Sequence, residues 1–422
     1  MSLSHGSRII TDGLVFHIDP ANKKNYNYDM NLYPYSEAFS NAAWTSTKTS
    51  ITSDQNLADP FGGNNASRMY ADTGPYTTRY DQVTVVQGET YTMSLYVKYV
   101  DQRYITLVQE GSDSSVITFD FQNETISGSG TQYVSNKATD VGNGWWRIEN
   151  TFTNASDTSA RVLIWIGQYS GTDYSGTSVD IFGAQIERRE IAGPYVKTTG
   201  SAVTEPTTIS STVGSFDGTI NTGRIKYSHD TGGLKVTNTS NNGVSYSDQP
   251  DASAVVFDGT NFTIQHTFKM TQAATDNYFS LANNIIAMGT ATTYNYATQI
   301  KYNDNTKMQF VKRTSPESLR FHDFTVGSSL LNRTVMITFV IDQLTDVVYC
   351  YENDTLLGST TILGDPIEPR QDGDDPFRLL VAHGSAVYAF VGELYDLKIY
   401  NRDLSPQEIK RNFYAIRGRF GI

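Results

Sequence analysis

Residues 90–100, TYTMSLYVKYV, decide the fold class. Tyr91, Met93, Leu95, Val97 and Tyr99 fall on one face of an extended chain, with Thr92, Ser94, Tyr96 and Lys98 on the other, because successive side chains of a strand point to opposite sides. One face therefore looks into a core. The same signal surrounds it in RYITLVQ (103–109), SVITFDF (115–121), WWRIENTF (145–152), ARVLIWI (160–166) and SVDIFGAQI (178–186). Between these runs stand turn clusters such as EGSDS (110–114), DVGNG (140–144) and GTDYSGTS (171–178). Short alternating strands with such punctuation predict a two-sheet sandwich or jelly roll.

Composition agrees over the whole chain. Its 422 residues include 27 Tyr, 20 Phe and 33 Gly, and only 18% are charged; aromatic and β-branched side chains suit a pleated surface, and glycine turns it. The expected class is mainly β, with two antiparallel β-sandwich or jelly-roll domains and one short C-terminal helix. A formal charge of −12 argues against a phosphate-tracking surface, so nucleic acid is not an expected partner. The apolar runs, such as VMITFVI (335–341), are too short to span a bilayer as helices, and the first residues lack the basic and apolar segments of a signal peptide. The expectation is a protein made in a cytoplasm and not inserted in a membrane. The single cysteine, Cys350, lies in the strand-like VVYCYE and reads as a small buried hydrophobe.

Strand patterns recur in DGLVFHID (12–19) and, after the Ser- and Thr-rich connection SAVTEPTTISSTVG (201–214), in AVVFDGTNFTIQHTFKM (254–270), TVMITFVID (334–342) and FRLLVAHGSAVYAFVGELYDLKIY (377–400). Val335, Ile337, Phe339 and Ile341 share one face. The chain then ends in LSPQEIKRNFYAIRGRFGI (404–422). Ser405 is a fit N-cap, Pro406 suits the first helical position, and Glu408 completes a capping box. Leu404 and Ile409 are spaced as a hydrophobic staple, and Ile409, Phe413 and Ile416 form one apolar stripe that needs a sheet to dock on. Gly418 is the expected left-handed stop.

FVGELYDLKIYNRDLSPQEIKRNF (390–413) and TFVIDQLTDVVYCYENDTLLGS (338–359) resemble the closing strands, helix and hairpin of laminin-G-like domains of the concanavalin A-like lectin and glucanase superfamily. DGLVFHIDPANKKNY (12–26) is similar to the first strand of such domains in tailed-bacteriophage structural proteins, and NFYAIRGRFGI (412–422) to their ends. NLYPYSEAFSNAAW (31–44), VTVVQGETYTMSLYVKYV (83–100), DVGNGWWRIENTFTN (140–154) and DIFGAQIERREIAGPYVKTTG (180–200) resemble a carbohydrate-binding-module-like jelly roll of phage tail and virion proteins. Together the resemblances imply a discontinuous laminin-G-like domain over 1–28 and 205–422, with the jelly roll of 31–200 inserted after its first strand.

The residues offer little chemistry. Glucanases of the superfamily pair carboxylates two strand positions apart, and the nearest string here is ENDTLL (352–357), where Glu352 and Asp354 lack a third acid and read as a hairpin turn. There is no HExxH, no GxSxG and no phosphate-binding glycine loop, and the six histidines lack metal-ligand spacing. The expectation is no catalysis and no resident cofactor. RQDGDDPFR (370–378) places Asp372, Asp374 and Asp375 together as a candidate calcium site, with a solvated turn as the plainer reading. Trp145 and Trp146 must face opposite ways; Trp146 shares the parity of Ile148 and Phe152, which leaves Trp145 as the candidate to stack on a sugar ring. The tyrosine-rich NKKNYNYDMNLYPY (22–35) suits a protein–protein surface.

Two functions stay open at this point. The first, which the residues and resemblances favour, is a non-enzymatic virion component, a decoration, fibre or tail or neck accessory on the virion surface, packed on other virion proteins and on copies of itself. The other is an adhesin that binds host-surface glycans, and a glycan hydrolase trails both.

Overall fold

The computed structural model describes residues 8–72, 77–110, 114–169, 177–214, 216–220, 225–228, 230–236, 244–245, 261–272, 284–290, 293–301, 304–315, 318–362, 377–379 and 390–422. The chain is mainly β with a C-terminal helix, and it divides into two compact units: Met1–Tyr28 with Pro206–Ile422, and Asp29–Glu205.

The continuous unit holds two six-stranded antiparallel sheets. One runs in the order Tyr133–Gly142, Trp145–Thr153, Thr90–Tyr99, Ser178–Glu187, Ala66–Ala71, Thr49–Leu57; the other in the order Thr45–Thr47, Thr78–Thr84, Ser159–Ile166, Tyr104–Glu110, Ser114–Asp120, Thr125–Ser129. Tyr91, Met93, Leu95 and Val97 point inward and meet Ile105, Leu107, Ile117, Val162 and Ile164 of the facing sheet. Tyr99, at the strand end, stays 54% exposed. The expectation of one buried face was incomplete: Thr92, Ser94 and Tyr96 on the other face are buried as well. The segment after Ser178–Glu187 returns over them, with Thr92 donating to the Arg189 carbonyl at 2.9 Å.

The discontinuous unit holds two eight-stranded sheets around one core. In the first, Gly392–Tyr400 sits between Leu234–Val236 and Phe262–Met270, and the opening strand Leu14–Ile18 also pairs with it, antiparallel. Val335, Ile337, Phe339 and Ile341 enter this core with Cys350 beside them. On the outward side of the same sheet Asp396 joins Lys398 and His17, all three screened from water. Burial would raise the Asp396 carboxyl, but Lys398 and the hydrogen bond to His17 outweigh it and hold it at about 2.

The helix Pro406–Phe420 (α1) closes this unit. Its capping box is complete, with Ser405 accepting from the Glu408 amide and Glu408 accepting from the Ser405 amide at 2.9 Å. Arg402 grips the same carboxylate with both Nη atoms, at 2.7 and 3.1 Å. These bonds, led by Arg402, pull the Glu408 carboxyl down to about 2. Leu404, Ile409, Phe413 and Ile416 pack on Met336, Val340, Tyr351 and Tyr400. Each such side chain contributes roughly 1.5–3 kcal/mol through removal from water. The helix does not stop at Gly418. It continues to Phe420, which stacks on Tyr395 at 4.9 Å, and Gly421 (φ 66°) is the left-handed cap. A mid-helix glycine costs about 1 kcal/mol, less than docking another aromatic ring returns.

His266 stands alone in chemistry among these apolar groups. It is fully buried, stacks on Phe268 and Phe339, and has no hydrogen-bond partner on either ring nitrogen among the described residues. Burial lowers its pKa to about 3. The folded chain therefore keeps this ring neutral where the unfolded chain would protonate it, so stability is full above about pH 6.5 and drains away as pH falls toward 3, by up to about 1.4 kcal/mol per pH unit. Replacing His266→Leu is expected to remove that acid sensitivity while leaving stability at pH 8 within about 1 kcal/mol; urea denaturation of both proteins at pH 5 and pH 8 measures it. Equal pH dependence in both proteins would contradict this account. Glu408→Ala is expected to lower unfolding stability by about 1 kcal/mol through loss of the capping box, read by the same denaturation.

Candidate functional site

Of the residues singled out in the sequence, Asp372, Asp374 and Asp375 lie outside the described residues. Trp145 requires a correction. Strand alternation does send it to the face opposite the inter-sheet core, and Trp146 packs against that core. Yet Trp145 is only 1% exposed, because its face is itself covered: Trp145 packs with Ala66, Tyr96 and Phe182, and Leu57 and Tyr195 lie against them. A sugar cannot stack on a ring already enclosed by protein.

Glu352 and Asp354 are also committed. Glu352 pairs with Arg333 and accepts from the Gly327 amide at 2.7 Å, whereas Asp354 lies 3.8 Å from Lys410. Asn353 between them takes φ 56° and forms a two-residue hairpin turn with Asp354, which Glu352 precedes. His17 is tied to Asp396 and Thr212. Among the described residues no group of three or more His, Cys, Asp or Glu side chains could hold a metal ion.

The exposed aromatic on the covered face is Phe61, 64% exposed. It lies in the loop ADPFGGNN (58–65) between two strands of the same sheet. Asp59 builds that loop. Its Oδ1 accepts from the Phe61 and Gly63 amides at 2.9 and 3.0 Å, and its Oδ2 from the Asn65 amide and side chain at 3.2 and 2.8 Å. Burial would raise this carboxyl, but the four bonds outweigh it and hold the group below its ordinary range. Gly62 takes φ 89° in open space, a conformation that glycine adopts without a Cβ penalty.

So held, the Phe61 ring lies on an aromatic bed. It stacks parallel to Tyr195 with centroids 6.1 Å apart and meets Tyr96 and Phe182 edge-on at 5.4 and 5.9 Å. Burial raises the phenols of both Tyr96 and Tyr195, so both stay neutral. Arg147, on the neighbouring strand, also lies over this bed, with its guanidinium carbon 5.3 Å from the Tyr96 ring centre. Its Nη2 donates to Ser94 Oγ at 2.9 Å, and its Nε is buried with no partner among the described residues. The acids around it are engaged elsewhere: Asp180 by Arg68 through two bonds, Glu187 by Arg189 at 2.6 Å, and Glu149 by the Ala192 amide at 3.4 Å. Burial raises Glu187 despite its arginine.

Sequence reading missed Phe61 because strand parity says nothing about a loop. The signal was present, however: a lone aromatic between Asp59-Pro60 and Gly62-Gly63 has no strand period to bury it.

A family model described as the concanavalin A-like lectin/glucanases superfamily matches residues 238–410. No curated protein matches the chain. Among solved structures, the CBM40 domain of Ruminococcus gnavus IT-sialidase bound to α2,3-sialyllactose is similar at 16% identity and a TM-score of 0.34, over 42% of this chain and 94% of that one. The receptor-binding domain of botulinum neurotoxin type G is similar at 16% identity and a TM-score of 0.36, over 49% of this chain and 48% of its own. A pentraxin of Limulus polyphemus is similar at 13% identity and a TM-score of 0.27, over 36% of this chain and 68% of that one.

Asp59→Ala is expected to cost about 2 kcal/mol, since it orphans donors that now meet an ionised acceptor. The amides of Phe61, Gly63 and Asn65 should then exchange with solvent faster, and hydrogen exchange across 58–65 checks it; unchanged exchange would mean that other contacts hold the loop.

Proposed function

We propose that this protein is a non-enzymatic, lectin-like adhesin of a virion surface that binds host-surface glycans through its β-sandwich units. The observation that carries the reading is the concanavalin A-like match over residues 238–410, on a chain whose other unit is also an antiparallel two-sheet sandwich. A rigid scaffold of this kind needs no catalytic group to bind saccharide, only faces and loops that hold aromatic and polar side chains in place. Phe61 on its bonded loop supplies such a face. The engagement of Glu352 with Arg333 and of Asp354 with Lys410 supports binding without hydrolysis.

The virion setting rests on the resemblance of residues 9–28 and 205–422 to tailed-bacteriophage structural proteins, which also supports attachment through other virion proteins and further copies of this chain. Decoration of the particle without glycan binding is the second reading, favoured by the same segments.

The purified chain is expected to bind a subset of glycans saturably on a glycan array and to release no reducing sugar from them. Particles lacking it should adsorb poorly to cells. An empty array with adsorption unchanged would favour decoration, and sugar release abolished by replacing one acidic residue would favour a hydrolase.

A further inference from the structure

Resting on the glycan-binding reading, we propose that the outer sheet face at Phe61 and Arg147 is a subsite for an acidic sugar, one whose ring carries a carboxylate.

Phe61 is a large apolar ring 64% in water, and leaving such a ring out forgoes stabilisation by burial. The four bonds to Asp59 nevertheless hold its loop in this position. A ring fixed before binding loses little conformational freedom on binding. One face of a pyranose is a sheet of C–H groups that matches a flat phenyl, and Phe61 has no polar atom with which to do anything else. Orientation must come from its neighbours.

Arg147 shares this bed, since both side chains lie against Tyr96. Its only hydrogen bond among the described residues goes from Nη2 to a serine hydroxyl, and it forms no ion pair there. A guanidinium fork matches a carboxylate, and it gains most where no protein acid competes. None of the nearby acids bonds to it: Asp180, Glu187 and Glu149 are held by Arg68, Arg189 and the Ala192 amide, and Glu187 acts on Arg147 only through space. Lys98, which registers beside Trp145 and Asp180, and Lys137, which registers beside Glu149, lie on the same face and form no ion pair among the described residues. An aromatic platform bordered by cations that form no ion pair among the described residues fits an anionic saccharide better than a neutral one.

The test measures binding of the full chain, and of its Phe61→Ala, Phe61→Trp and Arg147→Gln variants, to a panel of uronate- and sialate-terminated oligosaccharides and their carboxyl-reduced counterparts. Acidic sugars should bind, with affinity falling as salt rises. Reduction of the carboxylate, Phe61→Ala and Arg147→Gln should each weaken binding roughly tenfold or more, while Phe61→Trp retains it and the melting temperature of Phe61→Ala stays within a few degrees of the parent. Glycan binding that survives both Phe61→Ala and Arg147→Gln would overturn this subsite and leave the lectin reading standing. Equal binding of reduced and acidic sugars would overturn the carboxylate assignment. No binding to any glycan would remove both proposals.

Discussion

The antiparallel pairing of Leu14–Ile18 with Gly392–Tyr400 is the constraint on which the discontinuous unit depends. It joins residues almost four hundred positions apart, and both strands feed the same core through Phe16, Ile18, Leu397 and Ile399. Polar groups reinforce the seam. Asp396 binds Lys398 and His17, Tyr400 donates to the Ile10 carbonyl, and the Asn412 side chain both donates to Tyr400 and accepts from the Ile10 amide. The helix is thereby more than a cover. It holds the opening segment through Asn412 and the closing strand through Tyr400, so the docking of α1 and the strand pairing support each other.

Much of this was legible in the residues because it is local. Ser405, Pro406 and Glu408 specify the helix start through bonds made within four residues, and the stripe of Ile409, Phe413 and Ile416 specifies the face that docks. Alternation specified which side chains of Thr90–Tyr99 enter the inter-sheet core. The helix end was not legible. Gly418 is a strong local stop, but the ring of Tyr395, waiting on a strand, draws the last turn onward to Phe420. The stop was decided by a partner more than twenty residues away.

The candidate site shows the same division. Parity correctly separated Trp145 from Trp146, but parity gives a direction and not what lies in that direction. Tyr195 and Leu57, remote in sequence from residue 145, bury the tryptophan, and the ring left in water belongs instead to a loop. A turn-rich segment with one large apolar residue is therefore a better pointer to a surface aromatic here than the outer position of a strand. The acids at 372–375 lie outside the described residues, so the calcium expectation stays with the sequence.

The divided order of the chain has a further consequence during synthesis. A ribosome delivers Leu14–Ile18 first and its partner Gly392–Tyr400 only after every residue between them, including all of Asp29–Glu205. Units generally fold as they emerge, and Asp29–Glu205 has its own core to collapse around. The opening strand, with no such core, must wait through that whole interval with its backbone unpaired. Asp12 and Asp19 flank its apolar residues and His17 interrupts them, which keeps the waiting segment wet, so an early piece of the sandwich is secured only late.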